Sequence, residues 1–92
     1  TMINTFLAMK IGFANDMWII AKAQELKPSR VFDLVQLDKR MGDYGWQVPG
    51  EDGKFGFGGA CLPKDSKHML SLRPVSKLLQ SIQLFDHSKQ KL

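Results

Sequence analysis

The residues best suited to chemistry lie in one glycine-rich segment, Phe55-Gly-Phe-Gly-Gly-Ala-Cys-Leu-Pro-Lys-Asp65. Proline is typical of the first turn of a helix, so Pro63 predicts that Cys61 lies just before a helix N-terminus. The unpaired N–H groups and positive dipole there favour a thiolate, the nucleophilic form of cysteine. Lys64 adds positive charge, and Asp65 in the first turn could orient a water molecule. The segment therefore predicts a cysteine capable of covalent catalysis.

The glycines of this segment admit more than one interpretation. Gly56, Gly58 and Gly59 permit positive φ angles and a close approach of the backbone to a ligand. Their spacing is not the dinucleotide-binding fingerprint, which would need a glycine where Cys61 stands. The residue types alone also allow a purely structural interpretation: a buried cysteine, a glycine turn and Asp65 as a capping residue.

Length and composition limit the classes of protein that can hold such a segment. The chain has 92 residues and a net charge of +4, from 13 Lys and Arg against 9 Asp and Glu. Residues 1–92 make one small domain, which excludes two Rossmann halves. The single cysteine excludes an internal disulfide and a cysteine-rich zinc site, and it favours a cytoplasmic location. Scattered basic residues argue against nucleic-acid binding, and no uncharged run approaches the ~20 residues of a membrane span.

The rest of the chain must position this segment, and its patterns predict an all-α fold of about four helices. Most glycines lie between Gly42 and Gly59, which separates helical ends from an irregular middle. Apolar periodicity and the prolines predict helices over 1–26, from the N-cap candidate Ser29 to 37, over 63–72 and over 75–85. A loop over 38–60 and a polar tail over 87–92 complete the prediction. No alternating pattern typical of a strand stands out.

The first predicted helix carries two apolar stripes. One consists of Leu7, Ile11, Ala14, Trp18 and Ala21, and the other of Phe6, Met9, Phe13, Met17 and Ile20. A helix that is apolar over most of its circumference is buried on several sides. Two arrangements remain open: packing against another chain, which the small size favours, or cover by the chain's own later helices. Asn15 and Asp16, in the middle of this helix, are interpreted as polar hydrogen bonding at an interface.

Several motifs together resemble the UDP-glucose/GDP-mannose dehydrogenase family, in the order in which that family carries them. The segment that holds Cys61 is similar to the family's catalytic-cysteine motif. The stretch Asn4–Asp16 is similar to the start of its central helix, and Asp38–Gly42 resembles its Asp-x-Arg-Ile-Gly element. Pro49-Gly50 resembles the turn before its glycine loop. The chain is therefore identified as similar to the helical central domain of these enzymes, with a fold like the C-terminal domain of 6-phosphogluconate dehydrogenase.

The resemblance does not extend evenly along the chain. It is strongest over residues 3–70 and fades from about Ser71, which makes 71–92 a divergent tail. The family's catalytic lysine would stand immediately before Thr1, so this chain does not contain it, and Lys10 is not that lysine. A thioester route without the lysine would lose stabilisation of the developing oxyanion.

The resemblance implies oxidation of the C6 alcohol of a nucleotide sugar to a carboxylate. Cys61 would be the nucleophile that attacks the C6 aldehyde and then carries a thioester. Asp65 would handle the hydrolytic water, and Asn4 would lie at the reacting C6 oxygen. The residues expected to lie against the sugar are Phe55, Phe57, Gly58 and Gly59.

Partners and cofactor also follow from the resemblance. NAD would be bound by a separate domain, with no cofactor or metal held by this chain. The chain would form a homodimer through its first helix and would be inactive as an isolated dehydrogenase. Arg40 matches a motif arginine that is either structural or reaches the substrate phosphate across the dimer. The alternative is a stand-alone helical homodimerisation module without catalysis, and a basic nucleic-acid binder is a third class.

Overall fold

Four α-helices carry the architecture of the computed structural model, which describes residues 1–87. They are α1 (Met2–Ala23), α2 (Pro28–Val35), α3 (Cys61–Leu72) and α4 (Lys77–Gln83). One 3-10 turn, Lys39–Met41, lies in the long connection between α2 and α3. The all-α prediction is confirmed, whereas residues 88–92 of the predicted polar tail lie outside the described part. Within residues 1–87, no helix is long and apolar enough to cross a membrane.

The end of α1 differs from the prediction, because the helix stops at Ala23 and not near Leu26. Glu25 adopts a left-handed φ of 60°, and the N–H of Leu26 donates to the carbonyl of Ala21 at 2.8 Å. This arrangement is typical of a helix C-terminus. Pro28 then opens α2 as its first residue, where its missing N–H costs no hydrogen bond. The predicted N-cap at Ser29 is therefore wrong.

The last helix is shorter than predicted, and the residues after it have another structure. α4 begins after Ser76, whose hydroxyl accepts a hydrogen bond from the backbone of the first turn. Val75 and Phe85, expected inside this helix, lie outside it. Phe57 and Asp86 form an isolated parallel bridge, the one β pairing among residues 1–87. The chain after α4 thus lies along the glycine-rich segment, which the helical periodicity did not predict.

One core cluster fastens this segment to α1. Ala8, Phe57 and Ile82 are buried together, and Phe85 packs against them. The ring of Phe85 lies so close to Gly12 that a Cβ there would stand 2.7 Å from it. The small residues of α1 therefore let α4 and the glycine-rich segment approach the helix backbone.

A second cluster fastens α2 and the long connection to the other half of α1. Ala14, Phe32 and Trp46 are buried, and the rings of Phe32 and Trp46 have centroids 5.5 Å apart. The indole N–H of Trp46 donates to the carbonyl of Gly42 at 2.9 Å, which satisfies the polar atom of a buried side chain. This cluster holds the connection in place before it reaches the glycine-rich segment.

The chain's own helices cover only part of α1. In the first predicted stripe Ala14 and Ala21 are buried, at 0% and 4% exposure. In the second stripe, Phe6, Phe13 and Ile20 remain 55%, 51% and 52% exposed. The intramolecular core therefore accounts for one side of α1 and leaves an apolar stripe on its surface.

The second cluster gives a direct test of this packing. Phe32→Ala should lower the free energy of unfolding by about 3–5 kcal/mol, because it leaves a cavity beside Trp46. Urea denaturation followed by the fluorescence of Trp18 and Trp46 measures this change. Leu34→Ala is the matched control, since Leu34 lies on the same short helix but is 60% exposed. Its substitution should cost less than about 1 kcal/mol, and an equal cost for both would contradict the packing.

Candidate active site

Cys61 is the first residue of α3, and its side chain is exposed. The residue before it, Ala60, makes no side-chain cap, so the N–H groups of the first turn are not occupied by a capping side chain. The sequence placed Cys61 just before the helix, and the structure places it one position further on. Asp65, predicted in the first turn, is the fifth residue of α3 and lies one turn beyond Cys61. Cys61 and Asp65 therefore share one face of the helix.

Asp65 is held by Asn4, which comes from the other end of the sequence. The amide Nδ2 of Asn4 donates to Oδ2 of Asp65 at 2.8 Å and joins α1 to α3. The side chain of Asp65 is 13% exposed, and Lys64 Nζ stands 3.5 Å from its other oxygen. The structure thus brings together Asn4 and Asp65, two residues predicted for one site and separated by 61 positions.

The electrostatic state of Asp65 follows from these contacts. The hydrogen bond from Asn4 is the main cause that lowers the pKa of Asp65 below its ordinary value of 3.8. Partial burial acts in the opposite direction, and the charge of Lys64 adds to the lowering. Asp65 is therefore a carboxylate at neutral pH, able to accept a hydrogen bond from water but weakly basic.

The other end of the glycine-rich segment is held by Asn15, whose role the sequence did not reveal. Asn15 is 4% exposed, and its Oδ1 accepts the N–H of Gly56 at 2.8 Å. Its Nδ2 donates to the carbonyl of Ile11 at 2.8 Å, which fixes the orientation of the amide. We expected Asn15 to hydrogen-bond at an interface, whereas both the oxygen and the nitrogen of its side-chain amide bond within the chain. An amide on the buried side of an apolar helix was the available signal, because such a group needs a partner.

The glycines of the segment serve different purposes. At Gly56, φ is +84°, and a Cβ would clash with the carbonyl oxygen of Phe85. At Gly58, a Cβ would clash with the imidazole of His87. At Gly59, φ is +82° and no described atom lies within 4 Å of a Cβ position. Two of the three glycines therefore make room for the chain itself, and only at Gly59 would a Cβ meet no described atom.

The two phenylalanines predicted against the sugar occupy unlike positions. Phe57 is 3% exposed and belongs to the core cluster with Ala8 and Ile82. Phe55 is 48% exposed and lies edge-on against Trp18, with ring centroids 4.9 Å apart. Of the pair, Phe55 has the side chain that can reach a ligand.

Arg40 lies in the long connection between α2 and α3, and Lys10 of α1 binds to that connection. The guanidinium of Arg40 is exposed and pairs with Asp38, with Nη2 2.6 Å from Oδ2. This pair is the main cause that lowers the pKa of Asp38, and Oδ1 of Asp38 also accepts the backbone N–H of Arg40, which caps the 3-10 turn. Lys10 Nζ donates to the carbonyl of Met41 at 2.8 Å. The structure therefore does not bring Arg40 to the Asn4–Asp65 pair.

A cleft of about 560 Å³ adjoins the glycine-rich segment. Gly58, Gly59 and Leu62 form one wall, so the cleft reaches the first turn of α3. The carboxylates on its border belong to Asp43, Glu51 and Asp52. Such acceptors suit ligand hydroxyl groups better than ligand phosphates. Within residues 1–87, no group of three His, Cys, Asp or Glu side chains is arranged to hold a metal ion.

Comparison with known proteins decides the family. Residues 1–86 match the family model for the central domain of the UDP-glucose/GDP-mannose dehydrogenase family. The chain belongs to this family. The match extends beyond Ser71, where the motif resemblance fades. No solved structure gives a significant match.

Curated members of the family are similar over most of the chain. UDP-glucose 6-dehydrogenase of Campylobacter jejuni is 38% identical over 68 residues, which are 74% of this chain and 16% of the relative. UDP-glucose 6-dehydrogenase of Streptococcus pneumoniae is 36% identical over 77 residues, 83% of this chain and 18% of the relative. GDP-mannose 6-dehydrogenase of Pseudomonas savastanoi pv. phaseolicola is 41% identical over 85 residues, 86% of this chain and 18% of the relative. The chain thus spans less than a fifth of each of these family members.

The Asn4–Asp65 bond can be tested by titration. Asn4→Ala should raise the pKa of Asp65 back toward 3.8, because it removes the main cause of the lowering. Carboxyl carbon NMR shifts recorded against pH measure this. Asp52 is an internal control, since its own lowered pKa is due mainly to the N–H of Lys54 and should not move.

The same change has a consequence for stability. The folded-state pKa of Asp65 lies below that of the unfolded chain, so the bond stabilises the fold at neutral pH. This contribution is lost as the pH falls below about 3.8 and through the lowered folded-state value. Asn4→Ala should therefore show a shallower loss of stability on acidification. An unchanged pKa of Asp65 in the variant would contradict the assignment.

Proposed function

We propose that this chain is the catalytic-cysteine and dimerisation domain of an NAD-dependent nucleotide-sugar 6-dehydrogenase. The observation that carries the proposal is the Asn4–Asp65 hydrogen bond one helical turn beyond the exposed Cys61. It gathers a thiol, a carboxylate and an amide at one helix end. The names of the similar proteins, UDP-glucose 6-dehydrogenase and GDP-mannose 6-dehydrogenase, supply the substrate class.

In the first step that these residues would perform, Cys61 adds to the C6 aldehyde of the sugar. A bond forms between sulfur and the carbonyl carbon, the C–O π bond breaks, and its electron pair moves to oxygen. The amide nitrogen of Asn4 has two hydrogens, and one is used on Asp65. The other can donate to the developing oxyanion, which takes up the proton that the thiol gives up, and the product is a thiohemiacetal.

In the later step, water hydrolyses the thioester that oxidation of the thiohemiacetal leaves on Cys61. The water oxygen bonds to the acyl carbon, the C–S bond breaks, and sulfur departs as a thiolate. The low pKa of Asp65 makes its carboxylate a hydrogen-bond acceptor that aims the water rather than a strong base. One proton of the water then passes to the departing sulfur and the other to solvent, and the sugar leaves as a carboxylate.

NAD is the cofactor that family membership implies, and the described residues do not fit it. A dinucleotide site needs a strand, a glycine turn and a helix within a parallel sheet. Residues 1–87 contain one isolated bridge, and two of the three glycines are occupied by the chain's own Phe85 and His87. NAD would therefore bind outside residues 1–87.

The proposed homodimer uses the apolar stripe that α1 leaves on the surface. Phe6, Phe13 and Ile20 recur every seven residues, so they lie in one line along the helix. Each is about half exposed. Two copies of α1 that pack through this line would bury it on both sides, as a two-fold interface requires.

The dimer interface can be broken by charge. The double variant Phe6→Glu and Ile20→Glu should be monomeric at micromolar concentration, because dimerisation would bury four carboxylates. Sedimentation velocity distinguishes the two states. Leu78→Glu is the control: Leu78 is 58% exposed on α4 and should leave the dimer intact. A wild-type chain that is itself monomeric, or a double variant that remains dimeric, would contradict the interface.

The catalytic role of Cys61 can be tested in a complete enzyme. Residues 1–86 are placed in Campylobacter jejuni UDP-glucose 6-dehydrogenase in place of the matching segment. Cys61→Ser should lower kcat at least ~10³-fold, because a serine hydroxyl is a far weaker nucleophile at neutral pH. NAD⁺ reduction at 340 nm measures it.

The matched control is His68→Ala, on the same helix and exposed, which should retain activity. A Cys61→Ser enzyme with more than a tenth of the control activity would remove the catalytic proposal. It would then favour a homodimerisation module without catalysis.

A further inference from the structure

The chain after α4 forms a short strap, Leu84–His87, across the glycine-rich segment. The N–H of Phe57 donates to the carbonyl of Phe85 at 2.8 Å, and the N–H of His87 donates to the carbonyl of Phe57 at 2.8 Å. Both polar backbone atoms of Phe57 are thereby used. The strap therefore fixes the middle of the segment by hydrogen bonds that come from the far end of the chain.

The side chain of His87 fastens the strap at a second point. Its imidazole is 9% exposed and fills the space that a Cβ would take at Gly58. Its Nε2 lies 3.1 Å from Oδ2 of Asp52, whose side chain is 51% exposed. Oδ1 of Asp52 accepts the N–H of Lys54 at 3.0 Å, which orients the carboxylate. Strap, segment and the turn at Asp52 are thus joined in a closed ring of contacts.

We propose that His87, through its contact with Asp52, is a positioning residue for Cys61. An effect of His87 on catalysis rests on the proposed function, whereas its effect on the position of Cys61 does not. On one side of Cys61, Asp65 is tied to α1 by Asn4. On the other side, the imidazole of His87 packs against Gly58. Only Gly59 and the exposed Ala60 separate this contact between His87 and Gly58 from Cys61.

Because glycines lead up to Cys61, its position depends on the contact between His87 and Gly58. A run of glycines has many accessible backbone conformations and loses more entropy than other residues when it is fixed. Without the imidazole over Gly58, Gly58 and Gly59 can rotate together, and the first turn of α3 is free to fray. The thiol would then lose its fixed place at the first residue of α3.

The test measures the strap and the cysteine separately in the 92-residue chain. The variants are His87→Ala, His87→Gln and Asp52→Asn, with Glu51→Gln as a control that removes a neighbouring carboxylate from the same cleft. Amide hydrogen exchange by NMR reports on Phe57, His87 and the α1 core. The rate of Cys61 alkylation by iodoacetamide at pH 7 reports on the thiol.

His87→Ala should speed exchange at the Phe57 amide roughly tenfold, since it removes both the imidazole that packs on Gly58 and the contact with Asp52. Asp52→Asn should speed it about two- to fivefold, as expected for a half-exposed pair. His87→Gln should restore most of the protection, because its side chain also fills space beside Gly58 and its amide Nε2 can donate to Asp52. Alkylation of Cys61 should change by about threefold or more in His87→Ala, because the thiol is no longer held in the first turn of α3, and Glu51→Gln should behave as wild type.

Three results would overturn the proposal. The first is an unchanged rate of exchange at the Phe57 amide in His87→Ala. The second is a rise in exchange at the Ala8 and Ala14 amides of α1 that equals the rise at Phe57. The third is a rise at Phe57 alone with no change in the rate of Cys61 alkylation. The second result would mean general destabilisation, and the third would separate the strap from the cysteine. Failure of the proposed function looks different: Cys61→Ser would leave the complete enzyme active while the exchange results stand.

Discussion

Two asparagines on one helix hold the two ends of the segment that carries Cys61. Asn15 binds the N–H of Gly56, and Asn4 binds the carboxylate of Asp65. Eleven positions separate them, which is about three turns and ~16 Å along the axis, so both amides project from nearly the same side of α1. The distance between the start of the glycine-rich segment and the second turn of α3 is thereby set by a rigid helix.

Hydrogen bonds hold the two ends of the glycine-rich segment in a more closely defined position than apolar packing alone would. A hydrogen bond fixes both distance and direction, and breaking a buried one leaves unpaired groups that cost about 1–3 kcal/mol. Small residues make the contacts possible, since Ala8 is fully buried and Gly12 lies against the ring of Phe85. The same helix presents Phe6, Phe13 and Ile20 to solvent. In the proposed homodimer, α1 would therefore position the site with one side and pair with its copy through another.

The sequence predicted the features that depend on local patterns. Periodicity and prolines located four helices, and the family motifs named Asn4 and Asp65 as members of one site. The end of α1 was missed because Glu25 adopts a left-handed conformation that local residue types do not announce. The strap was missed for a different reason. Its contacts join Phe57 to residues some thirty positions later, and extended pairing with a single bridge has no periodic signature.

In the proposed reaction, Cys61 carries the substrate as a thioester, Asn4 donates to the substrate oxygen and Asp65 aims the water. Intact-protein and peptide mass spectrometry of an Asp65→Asn complete enzyme, during turnover of UDP-glucose with NAD⁺, tests this directly. With the water no longer aimed, the acyl enzyme should accumulate as an adduct of uronyl-nucleotide mass on the peptide that contains Cys61. A slowed Asp65→Asn enzyme without any adduct, or with an adduct on another residue, would contradict the account.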